Sequence, residues 1–150
     1  PRSKGEGLWR RSLYTFWKRT VPHPQMTTFD AADRSTCTAR RQPTSTPLQA
    51  LALLNDVQMA EAARFLGRRM MKEGVDGAFR AVTGRKPTER ERAVLERMLK
   101  EQREEFGKDA AATRKWLSVG DAKAGEGADL AAAAAAALAI LNHDEATMRR

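Results

Sequence analysis

The residues best suited to chemistry crowd into one stretch of the chain. His23, Asp30, Asp33, Arg34, Cys37, Arg40 and Arg41 all fall between Val21 and Ser45, among Pro22, Pro24 and Pro43. Three readings can be written on them. An acid/base or metal reading uses Asp30, Asp33 and His23, with Cys37 as a nucleophile. A nucleophilic cysteine needs a base and an electropositive setting. Arg34 and Arg40 supply the second, and no base is identifiable. Asp-x-x-Asp is too common a spacing to serve as a metal signature, and His23 has no second histidine nearby. No metal ligand set and no catalytic residue is therefore assigned. A binding reading takes Arg34, Arg40 and Arg41 as forks for sulfate, carboxylate or phosphate, which guanidinium groups hold bidentately. A structural reading pairs Asp30 and Asp33 with those arginines, so that the loop clasps the helices on either side. Phe29 and Cys37 then act as apolar anchors, with the cysteine buried beside the phenylalanine. The clasp is the preferred reading, with anion binding next.

Something must hold such a loop. A structureless connection of 25 residues is uncommon in a compact domain, and is usually functional, disordered or packed against its surroundings. Every strong periodic signal around it is helical. Trp9, Leu13, Phe16 and Trp17 recur at helical spacing and predict a first helix over 8–20. Thr46-Pro47-Leu48-Gln49 reads as a helix start, with Thr46 as cap, Pro47 at the first position and Gln49 reaching back. Asp56 is a competent cap for the next helix, whose stripe is Met59, Ala62, Ala63, Leu66 and Met70. Gly74 and Gly77 interrupt it before a short helix near 78–83, and Gly84 reads as the stop. Thr88 and Glu91 form a second capping box. The helix they open turns Val94, Leu95, Met98, Leu99 and Phe106 inward and sets Arg92/Glu96, Glu96/Lys100 and Lys100/Glu104 four apart on its wet side. A short amphipathic piece over 109–118 and a polar connector over 120–127 lead to a last helix over 129–143. That helix holds seven alanines at 131–137, a composition suited to close packing. No alternating strand pattern appears. The class is all-α: an irregular bundle of about five to six helices with one long ordered loop over about 21–45, read as a single domain over 1–150.

Composition excludes several classes. The chain has 150 residues, 41% hydrophobic and 31% charged, which suits a globular domain. The one cysteine rules out a disulfide scaffold within the chain, and no C-x-x-C-H is present to attach haem c. The longest apolar run, Leu130 to Leu141, falls short of the roughly 18 residues of a membrane-spanning helix. No signal peptide is recognisable, and Pro1 reads as a cut inside a longer chain. The net charge of +8 is uneven: nine basic and three acidic residues in 1–50, eleven and seven in 51–100, seven and nine in 101–150. A basic front half could meet a polyanion, whether nucleic acid, an anionic polysaccharide or an acidic partner domain; solvated helix faces and loop ion pairs are the plainer use of such charge.

Three runs carry a resemblance. They are Arg10-Arg11-Ser12-Leu13-Tyr14-Thr15-Phe16-Trp17-Lys18-Arg19-Thr20; Thr28-Phe29-Asp30-Ala31-Ala32-Asp33-Arg34 with Cys37 and Arg40-Arg41; and Thr46-Pro47-Leu48-Gln49-Ala50-Leu51-Ala52-Leu53-Leu54-Asn55-Asp56. Together they resemble the C-terminal part of a large planctomycete family, the PSD domain of unknown function DUF1553. Weaker echoes at Thr83-Gly84-Arg85-Lys86-Pro87-Thr88 and Leu141-Asn142-His143-Asp144-Glu145 extend the resemblance over essentially the whole chain. Ala32 and Val57 stand where that pattern has proline. The resemblance implies a piece of a large exported, extracytoplasmic protein, with a cytochrome c domain and a further domain upstream as partners. Any haem c would then sit elsewhere in the parent chain, with no cofactor in this segment. It implies no catalytic residue, and for an exported protein an anionic polysaccharide or the acidic face of an upstream domain is a better partner than nucleic acid.

Overall fold

The computed structural model describes the chain except residues 1–6, 8, 10, 11, 19, 33, 34, 41, 43, 123, 124 and 148–150. The fold is all-α, 69% helical, and among the described residues it has seven helices and no strands. The chain separates into two compact units, residues 1–53 and 54–150.

In the N-terminal unit the first predicted helix does not form. The described residues between Gly7 and Thr20 make only a 3₁₀ turn, Ser12–Tyr14, and Lys18 and Val21 close a single antiparallel bridge. Leu13, Tyr14 and Phe16 are 81%, 67% and 86% exposed. Trp17 is half-buried, but Trp9, Leu13 and Phe16 of the stripe are exposed, and a short aromatic segment of middling helix propensity does not hold a helix without more packing. Within the long loop, Pro24–Thr28 forms one short helix, α1, with Pro24 at its first turn. Helix α2, Pro47–Asn55, starts as its sequence predicts. Thr46 N–H donates to Gln49 Oε1 (3.0 Å) while Gln49 N–H donates to Thr46 Oγ1 (3.3 Å).

The C-terminal unit is built on α3, Val57–Thr83. Asp56 caps it by accepting from Gln58 N–H and Met59 N–H, and Gly84 ends it at φ 82°. Gly74 is non-helical (φ 76°, ψ 178°), so the interruption expected there is present, and the helix that follows it runs on to Thr83. Helix α4, Glu89–Lys108, opens with the expected Thr88/Glu91 box. Helix α5, Ala110–Leu117, is capped by Asp109; α6 runs Ala128–Leu141, and α7 is the single turn Asp144–Thr147.

Helix α6 is the centre. Leu130, Ala131, Ala132, Ala133, Ala134, Ala136, Ala137 and Ile140 are all buried, and α6 packs on both α3 and α4. A helix apolar on all sides belongs inside. Small side chains let α3 approach closely: a Cβ added at Gly67 would lie 2.7 Å from Ala134 N and 2.9 Å from Ala133 C. Met70, Ala78, Phe79 and Leu95 complete this core.

The α4 surface differs from its prediction. Val94 is 47% exposed, and none of the three expected i,i+4 pairs forms. Arg92 instead reaches Asp76 of α3 at 2.7 Å. Pairs along a helix surface stabilise by only a few tenths of a kcal/mol, so a partner on another element displaces them.

Candidate functional site

The long loop closes on itself through Asp30, Thr44 and Gln49. Asp30 sits at φ 57°, a left-handed conformation that Asp tolerates better than most residues. Its carboxylate accepts from Thr44 N–H (2.7 Å) and Thr44 Oγ1 (2.8 and 3.0 Å). Gln49, buried at the start of α2, donates its amide nitrogen to Thr28 O (2.9 Å), Thr44 Oγ1 (3.0 Å) and Asp30 Oδ2 (3.3 Å). The α2 capping box holds that amide in place, because its oxygen accepts from Thr46 N–H. The end of α1, the end of the loop and the first turn of α2 are thereby knotted together.

Of the residues singled out in the sequence, Asp30 is the hub of this knot. Asp33, Arg34 and Arg41 lie outside the described residues. Arg40 is exposed and makes no ion pair among the described residues. Phe29 is half-buried and ends α1, its N–H donating to Gln25 O. Cys37 is exposed, which corrects its reading as an anchor buried beside Phe29. The surrounding Ser35, Thr36, Thr38, Ala39 and Arg40 are exposed as well, so this part of the loop offers no apolar cover. Thr28, Thr44 and Gln49 were missed. The one signal for Gln49 was its capping-box position, which accounts for its oxygen and leaves its nitrogen free to serve the loop.

Two further charged clusters lie in the C-terminal unit. Arg85, between α3 and α4, uses all five guanidinium donors. Nε and NH2 bind Glu145 (2.8 and 3.0 Å), NH1 and NH2 bind Glu91 (2.9 and 2.7 Å), and NH1 also binds Lys86 O. The guanidinium lies 5.0 Å above the Phe79 ring, and His143 meets that ring edge-on at 5.7 Å. His143 Nε2 is 3.7 Å from Glu91 Oε1, and Nδ1 accepts from Glu145 N–H at 3.3 Å. The Arg85 hydrogen bonds hold both carboxylates below the usual range; for Glu91 the Thr88 N–H adds to this. Carboxylates fixed in their charged form are poor proton donors. Arg85 and His143 come from the two segments that carried the weaker echoes.

The second cluster is buried. Arg64 of α3, 1% exposed, donates to Leu117 O (2.8 Å), Ala122 O (2.8 Å) and Val119 O. These include carbonyls at the C-terminal end of α5, where positive charge is favoured. Burial lowers the Arg64 pKa, and the neighbouring Glu61 charge opposes that shift. Glu61 Oε2 in turn accepts from Asp121 N–H at 2.9 Å. Both side chains fasten the connector after α5 to α3. Among the described residues no three His, Cys, Asp or Glu side chains come together in a way that could hold a metal ion.

A family model described as PSD1, protein of unknown function (DUF1553), matches residues 1–99. The chain belongs to the DUF1553 family. No curated protein and no solved structure matches it. The DUF1553 match takes in the clasp, α3 and Arg85 with Glu91, and it stops within α4. The core helix α6 and the His143 and Glu145 side chains lie beyond it, although the resemblance read from the sequence reached that far.

Proposed function

We propose that this DUF1553 chain is a structural and interaction module of a larger exported polypeptide. In this reading the segment from Trp9 to Val21 docks on an acidic face of a neighbouring domain, and the knotted loop behind it holds its shape. The observation that carries this is the exposure of Trp9 (56%), Leu13, Tyr14, Phe16 and Val21 (66%) within a basic stretch. Large apolar side chains exposed together mark interaction surfaces. Trp, Tyr and Arg are also the residues that dominate binding energy at protein interfaces. The N-terminal unit carries nine basic and three acidic residues, which complements an acidic partner. Export and a cytochrome c domain upstream rest on the resemblance of the three motif runs.

The test is the intact polypeptide with Leu13→Ser and Phe16→Ser. Both side chains are exposed, so melting of the C-terminal unit should stay unchanged. After proteolytic separation, the variant should release the upstream piece from this chain where the wild type retains it. Retention by both would refute the docking reading. A second reading, anion binding by loop arginines, is favoured by Arg40, which is exposed and makes no ion pair among the described residues. Loss of heparin retention in Arg40→Ala/Arg41→Ala, with docking intact, would support it instead.

A further inference from the structure

We draw no further inference here: the strongest candidate, the Arg85–Glu91–Glu145 cluster with His143 at the junction of α3, α4 and α7, has all five guanidinium donors bound to its own chain and leaves none to meet a ligand.

Discussion

Replacing Gly67 with alanine tests how the centre of the fold is packed. The added Cβ would lie 2.7 Å from Ala134 N, 2.9 Å from Ala133 C and 3.0 Å from Ala134 Cα. All three are backbone atoms of α6, so no side chain can turn aside to make room. Overfilling a packed core costs about 1–3 kcal/mol, and rigid neighbours place this site near 3. Alanine returns about 1 kcal/mol through its helix propensity. The net loss is about 2 kcal/mol, which lowers the melting temperature of a unit this size by roughly 10 °C. The matched control is Gly107→Ala near the end of α4, where an added Cβ meets nothing within 4 Å. There the propensity gain stands alone, and stability should rise by up to about 1 kcal/mol. Thermal unfolding followed by circular dichroism reads both. A Gly67→Ala protein as stable as Gly107→Ala would refute the close α3–α6 contact.

Three other expectations follow from the charged clusters. Arg64→Met leaves the carbonyls of Leu117, Val119 and Ala122 without their donor and Glu61 without a compensating charge; it should cost about 3 kcal/mol or more in denaturant unfolding. Asp30→Asn keeps the shape of the clasp but removes its charge, so the Thr44 amide should exchange with solvent roughly tenfold faster or more, with the C-terminal unit unaffected. Glu91 and Glu145 have folded pKa values below their ordinary 4.5. The stability they contribute is therefore complete above that value and is lost as pH falls through the lower folded values. Arg85→Gln should flatten this acid limb in a pH series of melting curves, and an unchanged limb would contradict the assignment.

How much of this was legible depended on the distance between partners. The boxes at Thr46/Gln49 and Thr88/Glu91, the Asp56 cap and the Gly84 stop each involve groups within four residues, and sequence spacing located them. The alanine run marked α6 as a packing element because its composition leaves little else for it to do. The aromatic stripe over 9–17 had helical spacing, but Trp9, Leu13 and Phe16 are exposed, and periodicity alone does not supply the burial that holds a helix. Asp30 is bound by Thr44 and Gln49, 14 and 19 residues away, two neutral partners that no charge pattern in the loop indicates. Arg85 meets Glu145 across 60 residues, and Arg64 meets bare carbonyls 53–58 residues on. A backbone carbonyl has no sequence signature, so nothing in the residue types could have placed Arg64.

The proposed docking surface is open to a direct measurement of solvent accessibility. Hydroxyl-radical footprinting of Trp9, Tyr14 and Phe16 should be compared between the 150-residue chain and the intact polypeptide. Strong labelling is expected in the former and protection in the latter, with the exposed Phe65 and Met71 of α3 labelled in both. Equal labelling of Trp9, Tyr14 and Phe16 in the two would contradict it.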